Sequence, residues 1–147
     1  MKSSLYKRHS IMFIVMVIIG MLLNPMNILA YRLSDLYISQ TLFYAGLLMA
    51  SNMMWAHEIV HYLSMGHFNM LVFSVGILLS ISISILLRQQ LLVDDKQWLR
   101  RMIPHHSTAL TTTHKIYNRT TNPKIKDLAK EIIDTQEREI ELMKSML

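Results

Sequence analysis

The stretch IMFIVMVIIGMLLNPMNILA, residues 11–30, contains no charged side chain and consists mainly of long aliphatic residues. A helix of about 20 apolar residues is long enough to cross the hydrocarbon core of a bilayer. The run therefore predicts a transmembrane helix. A signal peptide is the alternative interpretation, but the run is long for one and no small-x-small cleavage site follows it.

Two further apolar stretches, residues 38–63 and 68–87, are also long enough to span a bilayer. Only a short turn around Gly66 separates them, which predicts a helical hairpin. Together with residues 11–30 they predict a membrane domain, residues 1–87, with three transmembrane helices. Basic residues border both faces of this domain, so charge alone leaves its orientation open.

The composition limits the classes of partner. Of the 147 residues, 52% are hydrophobic and 17% are charged, with a net charge of +5. There is no cysteine, which excludes disulfides and thiolate metal sites. The chain has no nucleic-acid-binding motif, and basic residues beside apolar runs are typical of membrane flanks. Membrane lipid, and no nucleic acid, is therefore the predicted partner.

Residues 88–147 are charged, free of glycine and rich in helix-forming residues. They predict two helical arms joined at NRTTNP, with Asn122 as the N-cap of the second helix and Pro123 at its first position. Pro104 lies inside the first arm and predicts a kink or a new helix start. Two arms make a thin core, so a metal, the membrane part or a second copy of the hairpin is expected to complete it.

The segments MIPHH, residues 102–106, and QEREIELM, residues 136–143, carry the chemistry of this hairpin. Met102 and His106 are one turn apart and share a helix face. Thioether sulfur combined with imidazole nitrogen suits Cu(I) or a similar soft ion. The alternative interpretation is that the methionines fill the core and the histidines lie on the surface.

The segments MIPHHSTAL and NPKIKDLAKEIIDTQEREIELM closely resemble the family named domain of unknown function 305. Its members are ferritin-like helical hairpins and include periplasmic copper-binding proteins. The stretches TLFYAGLLM and RQQLLVDDKQWLRRMIPHH resemble the membrane-anchored subgroup. The family has a methionine near the position of Thr112, and His114 is the candidate for its replacement. The resemblance implies copper, with silver or zinc as alternatives, at Met102, His105, His106 and Met143, with Gln136 and Glu139 in support.

A second set of ligand-type residues lies in the membrane half. Met54, His57, His61 and Met65 share one side of a helix and indicate a path for a soft ion, or else a methionine-rich packing face. The segment HEIVH, residues 57–61, also matches the zinc-protease pattern HExxH, in which Glu58 would be the general base. The longer protease pattern HExxHxxGxxH is not complete in this chain, however. No other predicted span contains an acidic residue that could be a further zinc ligand.

These observations predict an all-α protein with three transmembrane helices followed by a ferritin-like helical hairpin. We expect a small inner-membrane protein that is not an enzyme, with the hairpin outside the cytoplasm. It is expected to bind copper or silver for sequestration, tolerance or transfer. The rival hypotheses are a membrane metalloprotease that uses HEIVH and a metal-free helical interaction module.

Overall fold

All regular elements are helices in the computed structural model, which describes residues 2–147 and the side chains from Tyr6 onward. The predicted all-α class is therefore confirmed. The elements are α1 (Lys2–Leu22), α2 (Pro25–Ile28), a short 3-10 helix (Leu33–Asp35), α3 (Gln40–Met65), α4 (Met70–Gln89), α5 (Asp95–Arg119) and α6 (Pro123–Ser145).

The chain folds into two compact units. Unit 1 consists of residues 1–22 and 41–92, and unit 2 consists of residues 23–40 and 93–147. The sequence pattern predicts one membrane domain over residues 1–87. The structure differs in that residues 23–40 belong with the hairpin, because this segment makes polar contacts with both hairpin helices.

Glycines allow the helices of unit 1 to pack closely. A Cβ atom added to Gly46 of α3 would lie 2.8 Å from the carbonyl oxygen of Val17 in α1. A Cβ atom added to Gly76 of α4 would lie 3.0 Å from the backbone nitrogen of Trp55 in α3. Small residues at crossings of this kind let helix backbones approach, as is common inside membranes. Helix α3 is thus packed directly against both α1 and α4.

Within residues 2–147, two helical stretches rather than the predicted three are long and apolar enough to cross a membrane. They are Tyr6–Ile28 and Met70–Gln89, which correspond to the first and third predicted spans. The predicted second span at residues 38–63 does not meet this requirement of length and hydropathy, so the prediction of three spans is corrected. Helix α3 covers that region, but it contains the polar side chains of Ser51, Asn52, His57, Glu58 and His61, which lower its hydropathy.

The hairpin of unit 2 packs α5 against α6 around one apolar core. The buried members are Leu99, Ile103, Leu110, Ile140 and Met143. The predicted start of the second helix is confirmed, since Asn122 is the N-cap of α6 and Pro123 its first residue. Helix α5 continues through Pro104 and does not restart there.

A buried carboxylate joins residues 23–40 to the hairpin. Asp35 is fully buried, and the Ser107 hydroxyl of α5 donates a hydrogen bond of 2.6 Å to its Oδ2. Lys144 of α6 forms an ion pair with it, with Nζ 2.6 Å from Oδ1. The backbone N–H of Tyr31 in turn donates to the Ser107 oxygen at 2.8 Å. One side chain therefore connects three parts of unit 2.

Replacing this carboxylate should loosen unit 2. Asp35→Asn leaves the Lys144 ammonium without its buried partner, and breaking a buried ion pair of this kind costs about 3 kcal/mol or more. Hydrogen exchange of the slowest α5 amides in the full chain should then accelerate on the order of a hundredfold, since these amides exchange through opening of the unit.

The matched control is Glu141→Gln. Glu141 also faces Lys144, with an N–O distance of 3.8 Å, but its side chain is 65% exposed. An exposed ion pair contributes less than about 1 kcal/mol. Equal acceleration in the two variants would show that Asp35 does not hold unit 2 together.

Candidate metal centres

An ion pair between His106 and Glu139 sets the register of the hairpin at the predicted site. His106 Nε2 lies 2.9 Å from Glu139 Oε2. Because α5 and α6 run antiparallel, Met102, one turn before His106, comes opposite Met143, one turn after Glu139. Met143 belongs to the buried core, and Met102 packs against that core. Met102 and Met143 therefore share one core, and each lies one turn to the same side of the His106–Glu139 contact.

Both ring nitrogens of His106 face oxygen acceptors. Nδ1 lies 2.9 Å from the carbonyl oxygen of Met102, and Nε2 faces the Glu139 carboxylate. A neutral imidazole has a single N–H and can donate to only one of these two acceptors. The arrangement therefore fits an imidazolium, or an imidazole whose Nε2 holds another cation in place of the proton.

His105 lies at the edge of this group. Its side chain is exposed, and its ring centroid is 5.9 Å from that of His106. Partial burial, followed by the charges of Arg101 and His106, lowers the pKa of His105 below its ordinary value of 6.5. A lowered pKa keeps this imidazole neutral, and thus able to bind a metal, in more acidic solution than an ordinary histidine.

The other predicted hairpin ligands lie farther away. His114 is two turns beyond His106, about 12 Å along the helix axis, and its ring stacks on that of Tyr31 at 4.8 Å. At the position where the family has a methionine, the Thr112 hydroxyl donates to backbone carbonyls of its own helix. Gln136 is half-buried one turn before Glu139. The structure therefore does not bring His114 to the methionine pair, and it places Gln136 at the margin.

The pKa of His105 provides a direct check on the placement of this side chain beside Arg101 and His106. In metal-free protein, imidazole NMR titration should give a midpoint below 6.5 for His105. The positive charge of Arg101 favours the neutral form of the His105 imidazole. Arg101→Gln removes this charge, so the titration midpoint of His105 should rise part of the way toward 6.5. Arg100→Gln is the control and should leave it unchanged. A wild-type midpoint at or above 6.5 would contradict the geometry.

A second group of ligand-type side chains lies in unit 1. His9 Nε2 is 3.2 Å from Glu58 Oε1, and His57 Nδ1 is 3.7 Å from the same oxygen. The three ligand atoms lie within 4.8 Å of one another. Glu58 is 2% exposed, and its Oε2 accepts a hydrogen bond of 2.9 Å from the backbone N–H of Asn69. Helices α1 and α3 and the start of α4 therefore build one cluster.

Further histidines extend this cluster to the surface. The rings of His57 and His61 stack at 5.9 Å, and that of exposed His67 follows at 6.2 Å. These side chains, with Met12 and Met65, line a cavity of about 640 Å³ that also contains Glu58. Of the two predicted ligands in this half, His57 is a member of the three-residue group and His61 lies beside it.

The geometry of HEIVH differs from that of a zinc protease. In such enzymes both histidines of the motif hold one zinc ion and the glutamate activates water. Here the rings of His57 and His61 are within 13° of parallel, and the Glu58 carboxylate is turned toward His57 and His9. Glu58 therefore lies in one side-chain group with His57 and His9.

His9 is the member of the cluster that sequence reasoning missed. It is separated from Glu58 by 49 positions along the chain, so no local spacing connects the two residues. The available signal was a titratable side chain at the start of an apolar helix, where an ionisable group is a candidate for function.

Comparison with known proteins places the chain in a family. Residues 86–147 match the model of a domain of unknown function (DUF305). Over 127 residues the chain is 39% identical to an uncharacterized protein of Acanthamoeba polyphaga mimivirus, covering 85% of this chain and 82% of that protein. The chain therefore belongs to the same family as this viral protein, and its C-terminal part is a DUF305 domain. The similarity is longer than the DUF305 match and so extends into the apolar half. No solved structure matches the chain.

Proposed function

We propose that this protein is a membrane-anchored binder of copper(I) or silver(I) that sequesters the ion, confers tolerance to it or passes it on. The observation that carries the proposal is the contact of His106 with Glu139, together with the packing of Met102 against the core that contains Met143. Two thioethers and an imidazole from facing helices form a donor set that suits a soft ion.

The surroundings of the methionine pair support a monovalent ion. Met143 is part of the buried core, which otherwise consists of leucine and isoleucine side chains. A higher charge costs more to transfer into such an apolar environment, which disfavours a divalent ion between neutral thioethers. Glu139 adds one negative charge, which balances a single positive charge on the metal.

His106 makes binding sensitive to acid. Its Nε2 faces Glu139 at a position that a proton or a metal ion can occupy. Imidazole binds metal only when that nitrogen is unprotonated, so protons compete with the ion and acidification favours release. The thioethers do not titrate, and the hairpin keeps part of its donor set in acid.

Unit 1 is the proposed membrane anchor. Its two apolar helical stretches are long enough to cross a bilayer, and large apolar side chains on α4 such as Leu78, Ile81 and Ile85 are more than half exposed. Helix α3 packs between the apolar helices through Gly46 and Gly76. We therefore propose that the two apolar helices lie in the inner membrane, with lipid covering their apolar surface and α3 packed against both of them. The hairpin is assigned to the outside of the cytoplasm, as in the periplasmic copper-binding proteins that its sequence resembles.

The test is Cu(I) competition against a chromogenic chelator, with the full chain in detergent micelles. The variant Met102→Leu/Met143→Leu should lose one equivalent of tightly bound Cu(I), because leucine keeps the apolar volume but has no donor atom. Such swaps usually cost less than about 1.5 kcal/mol of stability, so circular dichroism should show that the helices persist.

Met146→Leu is the matched control. This methionine also belongs to the end of the hairpin, but it is 58% exposed and lies outside the core. Its replacement should leave Cu(I) affinity at the wild-type value. Wild-type affinity and stoichiometry in the double variant would contradict the proposal.

A further inference from the structure

We propose that His9, His57 and Glu58 of unit 1 form a second metal site, which binds a divalent transition-metal ion of borderline hardness such as Zn²⁺. This site shares no residue with the hairpin centre and differs from it in ligand chemistry. Its ligands are two imidazole nitrogens and one carboxylate oxygen, contributed by helices α1 and α3.

The distances around Glu58 match those of a metal centre. Ligand atoms bound about 2.0–2.1 Å from a tetrahedral zinc ion lie about 3.3 Å from one another. Glu58 Oε1 is 3.2 Å from His9 Nε2 and 3.7 Å from His57 Nδ1. Since all three atoms lie within 4.8 Å, small side-chain movements bring them onto one ion.

His57 Nδ1 lacks a hydrogen-bond partner at the centre of this group. The atom is buried and has no such partner among the described side chains, from Tyr6 onward, and its 3.7 Å separation from Glu58 is too long for a hydrogen bond. A buried polar atom without a partner costs about 1–3 kcal/mol. A metal ion would satisfy this nitrogen directly.

The charge of Glu58 also favours a cation here. Its carboxylate is 2% exposed, and within the described side chains its ion-pair partners are His9 and His57, with no lysine or arginine. A buried carboxylate needs a positive partner. Since the Asn69 N–H occupies Oε2, this contact fixes the carboxylate and leaves Oε1 for the ion, which is the role of an outer-shell hydrogen bond in metal sites.

The donor set selects the class of ion. Two imidazoles and a carboxylate suit Zn²⁺ and similar divalent ions, whereas Cu(I) prefers sulfur. Met12 and Met65 line the wall of the same cavity. Three protein ligands leave a fourth position, which faces the cavity of about 640 Å³.

The same cavity gives the ion a route to the centre. His61 and exposed His67 continue the row of rings from His57, with centroid separations of 5.9 and 6.2 Å. Each ring offers a nitrogen ligand within a short step of the next. We expect these two residues to influence the rate at which the ion enters and leaves rather than its affinity.

The experiment is Zn²⁺ titration of the full chain in micelles, by competition with a chromogenic chelator. His9→Gln removes one ligand and Glu58→Gln removes the negative charge, so each should lower Zn²⁺ affinity by about tenfold or more, at least the loss seen for outer-shell groups. His114→Gln is the matched control, since it alters a histidine of unit 2 whose ring stacks on that of Tyr31. It should leave affinity unchanged.

The outcomes separate this site from the hairpin and from a purely structural cluster. Met102→Leu/Met143→Leu should retain wild-type Zn²⁺ binding even if its Cu(I) binding is lost. If Glu58→Gln fails to fold, His9→Gln decides the question, because it leaves the contact between Glu58 and Asn69 in place. Wild-type Zn²⁺ affinity in folded His9→Gln would overturn the proposal, and so would tight binding of Cu(I) but not Zn²⁺ at these residues.

Discussion

Each unit of this protein is organised by a buried carboxylate that must find partners from other parts of the chain. Asp35 is fully buried and Glu58 is 2% exposed. An isolated charge in such a place would be prohibitively costly, so the fold must bring donors or cations to it. Ser107 and Lys144 make polar contacts with the carboxylate of Asp35. His9 and the Asn69 N–H make polar contacts with that of Glu58. These contacts decide which segments fold together.

The same long-range contacts explain what could be predicted from the sequence. Local patterns were sufficient for the helical class, for the N-cap at Asn122 and for the shared face of Met102 and His106, because neighbouring residues determine each of them. They were insufficient for the contact between Asp35 and Ser107, which are 72 positions apart. Segment 23–40, whose apolar start continues the first predicted span, therefore groups with residues 93–147. The cluster of His9 with Glu58 escaped prediction for the same reason.

The two proposed centres divide the chemistry of the chain by ligand type. Neutral thioethers in an apolar core suit a soft monovalent ion, whereas imidazoles around a buried carboxylate suit a divalent one. In both centres a histidine nitrogen lies beside a carboxylate oxygen, at 2.9 Å for His106 with Glu139 and 3.2 Å for His9 with Glu58.

Methyl NMR tests most directly whether Met102 and Met143 bind the same ion. The sample is the full chain with ¹³C-methyl-labelled methionine, of which there are 13. Silver(I) is diamagnetic and stands in for Cu(I). When the first equivalent of silver(I) is added, we expect the methyl signals of Met102 and Met143 to shift together, while that of exposed Met146 stays in place. Signals of Met102 and Met143 that remain fixed while others move would contradict it, because the ion would then bind elsewhere.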